Sequence, residues 1–251
     1  KIFPSLPYHF NNRRKSLAIS GDFGHVAPMP AIQIPDFLAT ELAGEEVHLH
    51  PFGALFWPKA EILTVTDLHF GKEASFRKAG FPVPDGGMQG DLAKLSVLLE
   101  RTKSRQLIIT GDLLHARSSL TNDVTHEVTA WRDQYPDLSI QLTLGNHDRQ
   151  VPKFPDQWRI DIHPAQLIIP PFVFQHDPTP NDDGYVIAGH LHPVFSTRAR
   201  KRSASLRLPC FHFTEDFAVL PAFGHFTGGH PIDRSESDRV FVIADDQIIE
   251  V

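Results

Sequence analysis

The sequence is poor in cysteine, in net positive charge and in long apolar runs, and each scarcity excludes a class of protein. Cys210 is the single cysteine in 251 residues, so no disulfide can form within the chain and a reducing, cytoplasmic setting is expected. The formal net charge of −6 excludes a protein that binds nucleic acid through overall positive charge. No stretch approaches the roughly 20 apolar residues of a membrane-spanning helix, so no membrane partner is expected.

Histidine and phenylalanine are plentiful instead, with 15 and 19 residues respectively. Imidazoles suit metal binding or acid–base chemistry, but scattered surface histidines would give the same count, so their positions must decide. The chain is otherwise of ordinary globular composition, 41% hydrophobic and 22% charged. Its length suits one domain with at most an appendage.

The composition and the periodicity of the chain change near residue 47. Residues 1–46 are rich in proline, glycine and charge without a regular period, and we predict an irregular N-terminal extension there, with a single domain over 47–251. Strands alternating with helices, followed by strands alone, indicate an α/β (α+β) fold with two packed sheets flanked by helices. Helices are predicted at 73–78, 91–101 and 122–134, and strands at 47–50, 54–57, 61–66, 107–110, 139–144, 167–169, 172–174, 185–188, 211–213, 217–220 and 240–243.

Side chains of the kind that bind metals follow five successive predicted strands, and sites in α/β folds assemble at the carboxyl ends of strands. Two pairs have members two residues apart, so in extended backbone each pair points to one side and can bind one ion. Glycines at 111, 145 and 189 precede three of the ligands and let the backbone turn sharply beside the site. The candidate ligands are Asp67 and His69, Asp112, Asn146, His176, and His190 with His192.

Each of these motifs alone is weak evidence. A single Asp-x-His, Gly-Asp or Gly-His-x-His is more often a turn or a surface loop than a ligand set. The ordered set of five, each after an apolar run, is what predicts a metal centre. Mixed carboxylate, imidazole and amide ligands favour manganese, with iron and zinc as alternatives, over calcium.

In this order the five motifs resemble the signature of the calcineurin-like metallophosphoesterases, over about residues 47–251. The resemblance implies a four-layer αββα sandwich of two mixed β-sheets and a centre of two divalent metal ions. It implies that Asp67, His69 and His192 hold one ion, that Asn146, His176 and His190 hold the other, and that Asp112 bridges both. It also implies that His147 is the acid near the leaving group, which makes His147 and Asp112 the candidate catalytic residues.

A closer similarity, to the bacterial DNA-ligase-associated metallophosphoesterases, is carried by longer runs of sequence. They are Asp67-Leu68-His69-Phe70-Gly71-Lys72, Phe76-Arg77-Lys78-Ala79-Gly80, Pro82-Val83-Pro84, Gly111-Asp112-Leu113-Leu114-His115, Leu208-Pro209-Cys210-Phe211, and Leu220-Pro221-Ala222-Phe223-Gly224 with Phe226-Thr227-Gly228-Gly229. The similarity implies a nuclease acting in DNA repair, with a functional link to a DNA ligase and a helicase. Gly21-Asp22 and Gly24-His25 mimic the motifs, but they follow no predicted strand and are set aside.

Several other side chains are candidates for contact with substrate. His115, Arg149, Lys72 and Arg77 all follow metal-ligand motifs closely, although each is also explained as a cap or a solvated charge. Arg198, Arg200, Lys201, Arg202 and Arg207 form the strongest basic cluster, which would guide a nucleic-acid backbone or simply mark a hairpin tip. Phe223 and Phe226 are expected to pack rather than to stack on bases.

Three functions fit these motifs to different degrees. The leading hypothesis is a metal-dependent phosphodiesterase acting on DNA or RNA, and the alternative is a phosphodiesterase or phosphomonoesterase for small nucleotides or metabolites. The metal ligands fit both of these, because both use the same core chemistry. A non-catalytic binding module is a remote third reading, since all seven ligands and His147 are present.

Overall fold

The computed structural model describes residues 36–78, 80–82, 86–197, 206–225 and 227–251. Five features from the sequence analysis lie wholly or partly outside the described residues. They are residues 1–35 of the predicted extension with the motif mimics at 21–25, Ala79 of the Phe76-Arg77-Lys78-Ala79-Gly80 run, residues 83–84 of the Pro82-Val83-Pro84 motif, the basic residues 198–202, and Phe226.

Seven strands form the first sheet in the order of the chain. β1 to β4 pair antiparallel, and β4 to β7 pair parallel, so the carboxyl ends of β4, β5 and β6 lie side by side at one edge. The strands are β1 (Leu38–Leu42), β2 (Glu45–His50), β3 (Ala54–Trp57), β4 (Ile62–Val65), β5 (Gln106–Ile109), β6 (Ser139–Thr143) and β7 (Ile160–His163).

Three α-helices lie in the connections between these parallel strands: α1 (Lys72–Lys78) and α2 (Gly87–Thr102) between β4 and β5, and α3 (Asn122–Arg132) between β5 and β6. In α2, Leu92, Leu95, Leu98 and Leu99 recur at helical spacing and are buried, as an amphipathic helix requires. In α3, the Thr121 side chain accepts from Val124 N and caps the first turn. All three predicted helices are therefore confirmed, with shifted ends.

The second sheet is also mixed, and it has nine strands. Its main path runs β14–β11–β12–β13–β10–β9–β8, and β15 pairs with β12 and β16. β10 is parallel to both β9 and β13, so the chain following β9 and β10 leaves at the same edge. The strands are β8 (Gln166–Ile169), β9 (Phe172–Gln175), β10 (Tyr185–Ala188), β11 (Pro193–Thr197), β12 (Leu206–Phe213), β13 (Phe217–Val219), β14 (His230–Pro231), β15 (Arg239–Ala244) and β16 (Gln247–Glu250).

The two sheets pack face to face. Leu55 and Ile108 of the first sheet share a buried apolar cluster with Phe174, Phe211 and Phe241 of the second. A second cluster joins the other face of the first sheet to leucines of α2 and to Val128 and Trp131 of α3. The predicted fold, a sandwich of two mixed sheets with helices, is confirmed, and the described α-helices cover the first sheet.

The structure differs from the sequence analysis at several elements. β1 precedes residue 47, so the expected boundary between extension and domain falls inside a β-hairpin in which Thr40 pairs with Val47. β7, β11, β14 and β16 are strands that the apolar runs did not reveal. Phe223 is buried, as expected. None of the described helices has the length and apolarity needed to span a bilayer.

Candidate metal centre

The seven predicted ligands lie on loops that leave the adjoining edges of the two sheets. Backbone hydrogen bonds hold the first two loops together: Asp67 N donates to Gly111 O at 3.1 Å, and His69 N to Asp112 O at 2.9 Å. His190 N of the second sheet donates to Asp67 Oδ2 at 2.9 Å, which ties the two sheets together at the centre. The structure thus brings all seven predicted side chains into one site.

Asp67, His69 and His192 form the first ligand cluster. One ligand atom of each lies within 4.8 Å of the others. His192 Nε2 is 3.2 Å from Asp67 Oδ1 and 3.4 Å from His69 Nε2, and His69 Nε2 is 3.9 Å from Asp67 Oδ1. Two imidazole nitrogens and a carboxylate oxygen therefore converge on one point.

Asn146, His176 and His190 form the second ligand cluster. His176 Nε2 lies 3.1 Å from both Asn146 Oδ1 and His190 Nδ1. His176 Nδ1 lies 2.9 Å from Thr110 O, so it is the donor to that carbonyl. This hydrogen bond leaves Nε2 as the nitrogen that carries a lone pair toward the cluster.

Asp112 lies between the two clusters. Its Oδ2 is 3.8 Å from His69 Nε2 and 3.5 Å from His176 Nε2. Its Oδ1 accepts a hydrogen bond from His147 N at 3.0 Å, which fixes the orientation of the carboxylate. One oxygen of Asp112 is thus placed where it can contact ions in both clusters.

The first cluster fits a divalent cation. Asp67 Oδ2 accepts from Thr66 Oγ1 and His190 N, but Asp67 Oδ1 makes no hydrogen bond to any described residue, although the side chain is fully buried. An ionised oxygen buried without a donor is costly unless a cation contacts it. Its donor set of carboxylate and imidazole groups also suits manganese, iron or zinc.

The backbone at the ligands is not extended, so the extended geometry predicted for the pairs Asp67/His69 and His190/His192 was wrong. Asp67, His69, His190 and His192 have φ of 52°, 48°, 69° and 45°, and Asp112 has φ of 51°. These values lie in the left-handed region, which costs a non-glycine residue about 1 kcal/mol or more. The turn after each strand has left-handed backbone at both members of a pair, and it directs both side chains toward the site without an extended segment.

The glycines before the ligands allow close approach, as predicted. A Cβ on Gly145 would lie 2.1 Å from Asp112 Oδ1, and one on Gly189 would lie 1.7 Å from Thr66 Oγ1. Neither neighbour can retreat, because each belongs to the hydrogen-bonded centre. Only glycine therefore fits at these two positions.

The electrostatic environment favours the ligand forms of two residues. Burial acts to raise the pKa of Asp67, but the nearby imidazoles of His192 and His176 outweigh it, so the pKa is lowered overall. Burial lowers the pKa of His69 to about 3. Asp67 is therefore ionised and His69 neutral near pH 7, the states in which these groups bind metals. Burial also raises the pKa of Asp112.

His147 lies beside the clusters rather than in them. Its Nδ1 hydrogen bonds to His115 O, and its Nε2 lies 3.9 Å from Asp112 Oδ2. Its side chain is 31% exposed, so solvent and substrate can reach it. The His115 ring stacks on it with centroids 5.2 Å apart, and burial lowers the pKa of His115 to about 4.

The other predicted substrate residues are placed unequally. Lys72 is partly buried, and its pKa is lowered by burial and raised by the charges of Asp67 and Asp112, with a net lowering. Arg77 Nη1 lies 4.0 Å from Glu73 Oε2 on the same helix, and Arg149 is exposed on the turn after His147. Lys72 and His115 therefore adjoin the ligands, while the two arginines lie on exposed surface.

Asp148 is an important residue to which the sequence analysis gave no role. It is fully buried, and its carboxylate accepts from Leu113 N, Leu114 N and Gly145 N at 3.1 to 3.2 Å. These bonds join the loop of Asp112 to the loop of Asn146. Its position next to His147 in the Gly145–Asp148 motif was the available signal.

Comparisons with known proteins agree with this site. The family model of the calcineurin-like phosphoesterases matches residues 60–230. The crystal structure of Pseudomonas putida nuclease MPE is similar with a TM-score of 0.76 and 34% sequence identity, covering 86% of this chain and 100% of that chain. The E. coli phosphoesterase YfcE is 14% identical, covering 76% of this chain and 97% of its own, but its TM-score of 0.37 is too low to support an inference. No curated protein matches the chain.

The chain belongs to the calcineurin-like phosphoesterase family, as its motif order predicted. It is therefore a hydrolase that acts on phosphoester bonds, of a family that uses dinuclear divalent metal centres.

Proposed function

We propose that this protein is a phosphodiesterase with two divalent metal ions and that its substrate is a nucleic acid, with DNA as the first candidate. The observation that carries the proposal is the position of Asp112 Oδ2 between the two ligand clusters, 3.8 Å from His69 Nε2 and 3.5 Å from His176 Nε2. Asp67, His69 and His192 would hold one ion, Asn146, His176 and His190 the other, and Asp112 both. When bound, such a pair supplies a nucleophile near neutral pH and neutralises phosphate oxygens.

His147 is the proton donor to the leaving group in this proposal. Its Nδ1 donates to His115 O, so Nε2 is the nitrogen that meets solvent and substrate beside Asp112. A protonated Nε2 can transfer its proton to the departing alkoxide oxygen, a contribution typically worth about 10²–10⁴-fold in rate. His115 supports this role because it both stacks on His147 and accepts its hydrogen bond.

Lys72 is the strongest candidate for a direct contact with the substrate phosphate. Its ammonium group is partly buried close enough to Asp67 and Asp112 to feel both charges, so it places positive charge at the centre. Arg149 and Arg77 lie farther out and would contact the chain on either side of the scissile phosphate. Arg207, the described member of the basic cluster, donates to Gly229 O.

The preference for a nuclease rests on sequence similarity rather than on the ligands. The solved Pseudomonas protein that carries the name nuclease MPE is matched along its whole length at 34% identity. Manganese is the proposed metal because the ligand set mixes oxygen and imidazole donors. The proposed role in DNA repair and the proposed link to a DNA ligase and a helicase follow from the family resemblance seen in the sequence. The proposed cytoplasmic location follows from the single cysteine, Cys210.

A substrate panel tests the proposal. Protein stripped of metal and reloaded with Mn²⁺ is incubated with bis-p-nitrophenyl phosphate, p-nitrophenyl phosphate, cyclic nucleotides and single-stranded DNA. We expect cleavage of the diester and of DNA, with little release from the monoester. Cleavage confined to p-nitrophenyl phosphate would exclude the nuclease and favour a metabolite phosphomonoesterase, and cleavage confined to cyclic nucleotides would favour a small-nucleotide enzyme.

A further inference from the structure

A segment of the second sheet lies across the first ligand cluster. Residues 223–230, of which Phe226 is not described, lead from β13 to β14 and are named the strap here. At its start, Phe223 N donates to Thr66 O at 3.0 Å and Gly224 N to Asp67 O at 3.2 Å. A Cβ at Gly224 would lie 2.2 Å from Leu68 O. The strap therefore packs in close contact with the loop that carries Asp67.

The other end of the strap holds His192. His192 Nδ1 lies 3.0 Å from Gly228 O and donates to it. His230 N donates to His192 O at 2.9 Å. The ring and the backbone of His192 are therefore both fixed by the strap, and the ring is turned so that Nε2 faces Asp67 Oδ1 at 3.2 Å.

The strap is also anchored to helix α2, by a buried carboxylate that contacts His225. Asp91 is 2% exposed. Its Oδ2 accepts from His225 N at 2.9 Å, and its Oδ1 pairs with His225 Nδ1 at 2.5 Å and with Lys94 Nζ at 3.0 Å. Both oxygens of one carboxylate are thus used on His225, which directly follows Gly224 and precedes Gly228 by three residues.

We propose that Asp91 is a positioning residue for the metal centre and that it acts through His225 and the strap on His192. The inference rests on the proposed function, because it assumes that His192 is a metal ligand. A ligating histidine keeps its tautomer and ring orientation only if the acceptor of its other nitrogen is fixed. Gly228 O is that acceptor, and Asp91 is a buried group outside the centre that, together with Arg207 on Gly229 O, fixes the strap carrying it.

The test measures metal binding rather than turnover. Metal-free wild type, His225→Ala and Asp91→Ala are titrated with Mn²⁺ by calorimetry, and each is repeated in an Asn146→Ala background, where only the first cluster is intact. His225→Ala removes one of the two bonds to Asp91, and Asp91→Ala removes both. We expect first-cluster affinity to fall about 10-fold for His225→Ala and up to about 100-fold for Asp91→Ala, with the second ion unchanged.

Asp238→Asn is the matched control. Asp238 Oδ2 pairs with His212 Nε2 at 2.7 Å, and this buried carboxylate–imidazole pair forms no hydrogen bond to the candidate metal ligands among the described residues. We expect this variant to lower Tm while both Mn²⁺ affinities stay at the wild-type values.

The outcomes separate this inference from the proposed function. Equal weakening of both ions, or a lower Tm with unchanged Mn²⁺ affinity in His225→Ala, would mean that the pair only stabilises the fold and would overturn the inference. If Asp91→Ala does not fold, His225→Ala decides alone, because its side chain is 39% exposed. A wild type that fails to bind two ions would instead contradict the proposed dinuclear centre.

Discussion

The two ligand clusters hold similar atoms in dissimilar surroundings. In the first, the side chains of Asp67 and His69 are 0% and 3% exposed, and Thr66, His190 N and the strap fix the ligands. In the second, His176 is buried, but His190 is 38% exposed and Asn146 is also exposed. The first cluster is buried and held by hydrogen bonds on several sides, whereas the second is partly open to solvent.

This difference suggests that the two clusters bind their ions with different affinities. A rigid, buried cluster with its own carboxylate should bind its ion tightly and release it slowly. The second cluster has no carboxylate of its own and shares Asp112, so its ion should exchange more readily with solvent. The open side is also where a phosphodiester can approach.

The largest expected effect follows replacement of the shared residue. Asp112→Asn removes the negative charge from the oxygen that faces both clusters, so we expect nearly all Mn²⁺-dependent cleavage of bis-p-nitrophenyl phosphate to be lost and both ions to bind more weakly. Calorimetric titration and the cleavage rate measure this. A variant that loses only one ion would assign Asp112 to a single cluster.

The next effect concerns proton transfer. His147→Asn should lower kcat about 10²–10⁴-fold on DNA while the protein still binds two Mn²⁺ ions. The loss should be much smaller on bis-p-nitrophenyl phosphate, because nitrophenolate leaves without a proton. Equal losses on both substrates would contradict the assignment of His147 as the acid.

A paired substitution compares the clusters directly. Asp67→Asn should weaken the tighter ion at least about 100-fold, whereas Asn146→Ala should weaken the looser ion about 10- to 100-fold. Stepwise addition of a chelator to wild type should remove the second-cluster ion first. Removal of both ions in one step, or the reverse order, would show that burial does not set the affinities.

The smallest effect lies far from the centre. Burial raises the pKa of Asp238, but hydrogen bonds from Ser235 and His212 outweigh it and the pKa is lowered overall. A lowered carboxyl pKa stabilises the fold above the unfolded pKa of about 4, and this contribution is lost as pH falls through the folded value. Asp238→Asn should therefore cost about 1–2 kcal/mol at pH 7.

The control for this effect is the same stability measurement made at low pH. Urea denaturation of wild type and Asp238→Asn should give free energies of unfolding that differ fully well above pH 4 and converge as the pH falls from about 4 through the lowered pKa of Asp238 in the folded protein, where the wild-type carboxyl becomes protonated as well. A difference that persists unchanged at pH 3 would mean that the charge of Asp238 is not involved.

The sequence predicted that the seven candidate ligands would lie together, because each follows an apolar run that forms a buried strand. The runs before Asp67, Asp112 and Asn146 are β4, β5 and β6, and their parallel pairing makes neighbouring strand ends meet. Local pattern and sheet geometry together were therefore sufficient to assemble the site. The prediction of extended backbone at the two ligand pairs was wrong, because a two-residue spacing does not distinguish an extended segment from a turn with left-handed residues.

Other features depend on contacts between distant parts of the chain. β7 has only alternate apolar residues, all at least partly exposed, and β11 begins with Pro193, which interrupts the pattern of a strand. Asp91 lies in α2, 134 residues before His225, and no local period links the two. Such pairs become visible only when the fold brings them together.

The left-handed backbone at the ligands determines which substitutions leave the loops of the centre folded. Asparagine and glycine accept positive φ, whereas β-branched residues resist it. Replacing Asp67 or Asp112 by asparagine should therefore give a folded, inactive protein, while valine at either position would disturb the loops as well. Because the ions of the proposed centre hold the substrate phosphate, these asparagine forms serve as folded, metal-deficient controls, and His147→Asn, which should keep both ions, is the form suited to capturing the natural substrate from a mixture.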